Sequence, residues 1–110
     1  MERAVLMFTL KPGKEQEVEA LNAEFEPRQR EANGRIASLR GWDKFVLKGK
    51  YVDVIDFEGS LDDVLAQAGQ AEAHQQFLER MHPLIEETRE EVPGCFMNRI
   101  SHYSSAEHAG

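Results

Sequence analysis

Few side chains in this sequence are suited to chemistry, and the histidines come first. His102 alternates with its neighbours so as to share a strand face with Asn98, while Arg99 and Tyr103 share the other. A histidine beside an asparagine on an apolar strand can orient a phenol or enol and move a proton, whereas a histidine near a chain end is more often simply solvated. His82 precedes Pro83 where a helical pattern should break, a position suited to the lip of a pocket; capping or plain exposure is at least as frequent. His74 lies eight residues earlier on the same helical pattern. At that spacing the two are too far apart to chelate one metal together. Trp42 and Tyr51 flank a central hairpin, where core packing is their common role and stacking on a flat aromatic ligand the sharper one. Arg35 and Arg40, near Trp42, can hold an anionic or enolate oxygen, although solvated arginine is commoner.

Two carboxylates interrupt an otherwise apolar strand. Asp53 shares a face with Tyr51, Ile55 and Phe57; Asp56 shares the opposite one with Val52 and Val54. They point apart, so this strand holds no cooperating carboxylate pair. For each, an edge or solvent position is the ordinary expectation. Cys95 is single and cannot form an internal disulfide; burial as a small hydrophobe in a strand is expected of it. There is no phosphate loop, nucleophile elbow, dinucleotide fingerprint or zinc spacing, so neither a cofactor nor a metal is expected.

Composition narrows the partners. The chain of 110 residues fits one domain with one modest core. Twenty acidic against 13 basic residues give a formal charge of −7, which argues against nucleic acid and against anionic membranes, since both require a basic footprint. No apolar run approaches a membrane span and the N-terminus lacks a signal-peptide layout, so a soluble, cytoplasmic protein is expected.

The elements that would position these residues follow from periodicity. Arg3 to Leu10 reads as a first strand that is apolar on both faces, and Lys11-Pro12-Gly13 as a turn. A first helix runs from about Lys14, with Val18, Leu21 and Phe25 on one side. Pro27 should end or kink it, leaving residues 28 to 33 as a separate polar turn. A second strand, best at residues 44 to 48 and bulged at Gly41, turns through Lys48-Gly49-Lys50 into a third strand at Tyr51 to Phe57. Ser60 caps a helix bearing Leu61, Val64, Leu65 and Ala68 at i, i+3, i+4, i+7; after Gly69, residues 72 to 81 resume with Phe77, Leu78 and Met81 as the apolar side. Residues 84 to 91 give a further helical turn, and Cys95 to Tyr103 a fourth strand. The order β-α-β-β-α-β predicts an α+β, ferredoxin-like fold with a four-stranded antiparallel sheet, one domain over residues 1–103, and a flexible tail at 104–110. The sheet face away from the helices carries Val5 and Met7 and needs covering, which predicts a face-to-face homodimer.

Three runs carry a further resemblance: ERAVLMFTLKPGKEQEVEAL, VDVIDFEGSLDDV and FLERMHPLIEETREEVPGCF. A Lys-Pro-Gly turn, a strand-to-helix junction through Glu58-Gly59-Ser60-Leu61, and the segment before Pro93-Gly94 resemble the SchA/CurD-like family of aromatic polyketide and spore-pigment biosynthesis over most of the chain. More loosely, the layout is similar to tetracenomycin-type polyketide cyclases and to cofactor-free antibiotic biosynthesis monooxygenases, both dimeric α+β barrels. The resemblance implies a dimer that takes a small-molecule aromatic polyketide into a cavity between sheet and helices. A cyclase would fold a poly-β-ketone and assist aldol closure and dehydration, with His74, His82 or His102 moving protons and Arg40 polarising. Trp42, Tyr51, Asn98, Phe77 and Met81 would contact the substrate. A monooxygenase would oxidise an anthrone-type polyphenol without metal or flavin; a non-catalytic binding or chaperone subunit of the synthase is the third reading. A shared fold does not choose among them.

Overall fold

The computed structural model describes residues 1–86 and 100–104. Its elements are β1 (Glu2–Thr9), α1 (Glu15–Asn33), β2 (Leu39–Leu47), β3 (Lys50–Phe57), α2 (Leu61–Gly69), α3 (Glu72–Met81), a short 3₁₀ turn at His82–Leu84, and β4 (Ile100–Ser104). The sheet has the order β2-β3-β1-β4 with every neighbouring pair antiparallel. This is the expected ferredoxin-like α+β arrangement, in which β3 fills the gap between β1 and β2.

Alternation along the strands decides which face meets the helices. Ala4, Leu6 and Phe8 of β1, and Tyr51, Asp53, Ile55 and Phe57 of β3, are all fully buried on the helix side. Val18, Leu21 and Phe25 from α1, Val64 and Leu65 from α2, and Phe77, Leu78 and Met81 from α3 close over them in one core. The Phe25 and Phe77 rings meet edge to face at 5.8 Å, an aromatic geometry that joins α1 to α3. Ser60 caps α2 as its sequence position suggested, its hydroxyl accepting from the Asp63 N–H.

The turn between β2 and β3 sets their register. Lys48 and Gly49 both have positive φ (39° and 79°), the geometry of a two-residue hairpin whose twist matches the strands. Pairing then runs back from Leu47–Lys50 to Trp42–Ile55 without a slip, and the shift falls between Leu39 and Gly41, where the bulge was expected. Because of that extra residue, Leu39 and Trp42 pack on the same core although they are three positions apart.

Three expectations need correction. α1 does not stop at Pro27; it continues to Asn33 with Pro27 inside it. Proline removes one helical hydrogen bond, but the turns beyond it are tied down. Gln29 is buried, Arg28 donates to Gln76 of α3 at 2.8 Å, and Arg30 pairs with Glu26. Tertiary contact outweighs the local penalty. Residues 84 to 86 are not helical beyond the 3₁₀ turn, because Ile85 bridges Leu10 and the Glu86 N–H bonds to the Thr9 carbonyl at 2.8 Å. The rest of that expected helix, and the first part of the expected fourth strand with Cys95 and Asn98, lie outside the described residues. Finally, β4 includes Ser104, one residue into the expected tail.

Candidate functional site

On β2, Trp42, Lys44 and Val46 point toward the helices, opposite Ile55, Asp53 and Tyr51 of β3. Lys44 and Asp53 are therefore direct cross-strand neighbours on the inner face. The Asp53 side chain is wholly buried and that of Lys44 is 18% exposed. This corrects the edge-or-solvent expectation for Asp53. Asp56 behaves as expected on the outer face, where Arg3 donates to it from Nε at 2.6 Å and from a terminal nitrogen at 3.0 Å.

The ammonium of Lys44 occupies a box of aromatic rings. Its Nζ lies 4.5 Å from the Phe77 ring centroid, 5.4 Å from that of Trp42 and 5.6 Å from that of Tyr51, distances at which cation–π attraction replaces part of the lost hydration. It donates to the Tyr51 hydroxyl at 2.9 Å. Asp53 Oδ1 is 3.6 Å away, an ion pair too long for a hydrogen bond. The Tyr51 phenol is the other polar group beside this carboxylate.

Burial dominates the electrostatics of this cluster. It pushes the Lys44 ammonium below the ordinary lysine range, with the Asp53 charge opposing. It also raises the Tyr51 phenol well above its usual value, and Asp53 adds to that rise. His74, on α3, stacks obliquely on Trp42 with ring centroids 5.9 Å apart. Burial, and secondarily the Lys44 charge, lower its pKa from 6.5 to about 4, so the imidazole is neutral at pH 7. A neutral imidazole accepts protons; a desolvated ammonium and an indole N–H stabilise developing negative charge.

Beside the cluster, a groove of about 840 Å³ opens between α1 and the edge strand β2. Trp42, Lys44 and Val46 line it from the strand side, Asn22 and Gln29 from α1, and Arg40 from the loop end. Two atoms of lining residues, Asn22 Oδ1 and Trp42 Nε1, are buried with no hydrogen-bond partner among the described residues. One is an acceptor and the other a donor, and buried polar groups of this kind are normally satisfied.

The residues singled out from sequence divide into groups. Trp42 and Arg40 line the groove, with the Arg40 guanidinium donating to the Ala37 carbonyl at 2.6 Å. Tyr51, His74 and Phe77 form the buried layer reached through Lys44 and Trp42. Met81 packs in the core. His82 opens the 3₁₀ turn after α3 and does not line the groove. His102 is in register with Ala4 and Tyr103 with Arg3 on β4, and Asn98 lies outside the described residues. Arg35 pairs with Glu31 at 2.7 Å. Lys44, Asn22 and the buried state of Asp53 were missed. Counting back from the two-residue turn at Lys48-Gly49 pairs residue 44 with 53, so one signal for the ion pair was present in the sequence.

The profile of the SchA/CurD-like domain matches residues 1–103. The chain belongs to that family. Among solved structures, proteins assigned as antibiotic biosynthesis monooxygenases share its fold. One from Nitrosomonas europaea is 7% identical with a TM-score of 0.67, the match covering 94% of this chain and 97% of the other. One from Bordetella bronchiseptica is 17% identical with a TM-score of 0.65, covering 94% of each chain. One from Chloroflexus aurantiacus is 8% identical with a TM-score of 0.61, covering 93% and 89%. At these identities the likeness is one of fold. No curated protein matches. Membership of the family supports a place in polyketide-related biosynthesis. Among the described residues no helix is long and apolar enough to cross a membrane, and no cluster of acidic, histidine or cysteine side chains could hold a metal ion.

Proposed function

We propose that this protein binds an aromatic polyketide in the groove between α1 and β2 and assists its aldol closure and dehydration. The observation that carries this reading is the Lys44 ammonium. Lys44 lines the groove, its side chain is largely withdrawn from water, and Trp42, whose ring centroid lies 5.4 Å from Nζ, carries an indole N–H with no partner among the described residues. Aldol closure passes through an enolate, and a preorganised cation and N–H donor in a water-poor site stabilise that charge more than water does. The indole of Trp42, a lining residue, gives a flat ring a surface to stack on. Holding two reacting carbons of one chain in contact supplies the rest through orientation. His74 is the neutral base nearest this layer, although Trp42 stands against it.

The fold of the monooxygenases favours a second reading, in which the same cation and indole hold a phenolate that reacts with oxygen itself. One experiment separates the two. Metal-free protein is given a reactive poly-β-ketone or anthrone with and without oxygen, and products are identified by mass. Loss of water alone, in air or without it, supports the cyclase. A gain of one oxygen with loss of two hydrogens, seen only in air, supports oxidation. No conversion by folded protein supports a non-catalytic binding subunit.

We also propose that a second copy covers the outer face of the sheet. Met7, Phe45 and Leu47 are large exposed apolar residues on that face, beside Val5, Val52 and Val54. An apolar patch of this extent on a small domain is ordinarily covered.

A further inference from the structure

We propose that Lys44 is a covalent carbonyl-binding residue: its amine condenses with a ketone of the groove's ligand to give an iminium, with Asp53 relaying the proton. This deepens the functional reading above and rests on its assignment of a carbonyl compound to the groove. The argument begins with the pairing of β2 and β3, which sets an amine and a carboxylate side by side on the inner face of the sheet. A purely structural ion pair would close to hydrogen-bond distance and satisfy its remaining lone pairs. This one stays at 3.6 Å with the carboxylate wholly buried. The hydrogen bond from Lys44 goes to the Tyr51 hydroxyl instead. Asp53 is thus a buried carboxylate held next to the amine of a residue that lines a cavity.

The other lysines differ. Lys11, Lys48 and Lys50 are exposed on the surface, Lys50 bonded to Thr9, and Lys14 pairs with Glu17. Only Lys44 combines burial, an aromatic box and a carboxylate partner. Desolvation in such surroundings favours the neutral, nucleophilic amine, which is how lysine becomes able to form Schiff bases.

The step balances as follows. The ammonium passes one proton to Asp53, and the free amine adds to the ketone carbon, forming a C–N bond. After the adduct's proton moves from nitrogen to oxygen, the carbinolamine hydroxyl takes the proton back from Asp53. The C–O bond then breaks and water leaves. Ammonium and ketone have become iminium and water, with Asp53 again a carboxylate and no oxidant or reductant consumed. An iminium acidifies the neighbouring carbon more than the ketone does, which is what aldol closure requires.

The test uses acetylacetone, a 1,3-diketone that condenses with a neutral amine to a stable enaminone absorbing in the near ultraviolet. Purified full-length protein is incubated with it at pH 7, and adducts are located by intact mass and peptide mapping. Expected is one adduct, equal to the diketone less one water, on Lys44 ahead of Lys11, Lys14, Lys48 and Lys50. Lys44→Arg, which keeps the charge, abolishes the absorbance band. Asp53→Asn slows its appearance on the order of 10²-fold, the usual worth of a positioned acid–base group. Circular dichroism and the Trp42 emission establish that both variants are folded. Adducts spread over the surface lysines with Lys44 spared would overturn the inference. Failure of the two readings is distinguishable. If Lys44→Arg closes rings as well as the parent, the covalent step falls and the cyclase stands. If Lys44 forms the adduct but no polyketide is converted, the amine chemistry stands and the cyclase falls.

Discussion

Replacing Lys44 by methionine gives the most informative stability measurement on this fold. The substitution keeps the length of the stem and removes the charge, so Asp53 remains wholly buried with its cation gone. Breaking a buried pair from one side typically costs about 3–5 kcal/mol, because the remaining charge is uncompensated. Against a total stability of about 5–15 kcal/mol for a domain of this kind, the variant should stand close to unfolding. The opposite single change, Asp53→Leu, should cost less, about 1–3 kcal/mol, since Lys44 keeps some exposure, its bond to Tyr51 and its ring contacts. Together, Lys44→Met and Asp53→Leu replace two charges by apolar side chains, and such replacements are often neutral or stabilising. The double variant should therefore lie within about 1 kcal/mol of the parent, so with single costs near 4 and 2 kcal/mol the coupling is about 6 kcal/mol. Urea unfolding of the four proteins at pH 7, followed by Trp42 emission and circular dichroism, measures the cycle. Additive single effects, or a Lys44→Met variant as stable as the parent, would refute the buried-pair reasoning.

Further outcomes follow from the same geometry. His74 has a lowered pKa in the fold, so the unfolded chain binds more protons between pH 6.5 and about 4 and stability must fall as the pH drops through that window. The loss attributable to His74 is at most about 3 kcal/mol, and His74→Phe should flatten the stability–pH curve there. The single tryptophan, Trp42, lies against the imidazole and should show emission quenching only as the pH nears 4. Lys48 carries a positive φ ahead of Gly49, and Lys48→Asn should stabilise the hairpin by about 0.5 kcal/mol, read as a higher urea midpoint. Phe45→Glu places a charge in the exposed apolar face and should convert a dimer to monomer in sedimentation; a parent that is already monomeric removes the proposed cover of that face.

Much of the fold could be read from periodicity because its signals are local. Alternation in residues 51–57, the Ser60 cap and the positive-φ turn at Lys48-Gly49 each act within a few residues, and each was found in place. Pro27 misled for the complementary reason. Its penalty is local, but what holds α1 together past it is the contact of Arg28 with Gln76, 48 positions away. No window of sequence contains both halves of that balance.

The site was less legible, and for a related reason. Sequence draws attention to residues whose side chains are unusual alone, and so to Trp42, Tyr51, Arg40 and the histidines. Lys44 and Asp53 are unremarkable one at a time. A lysine on an edge strand is the common means of keeping that edge in solution, and an aspartate in a strand ordinarily faces water. Their meaning arises only when the hairpin register turns both inward at the same level. The fold then has an ammonium, a phenol, an indole and an imidazole within one buried layer beside a groove, and that layer is costly unless something uses it. A core assembled for stability alone would have placed leucine and valine at positions 44 and 53. Their replacement by a charged pair, one member of which lines a groove, is the strongest physical reason to look for chemistry there.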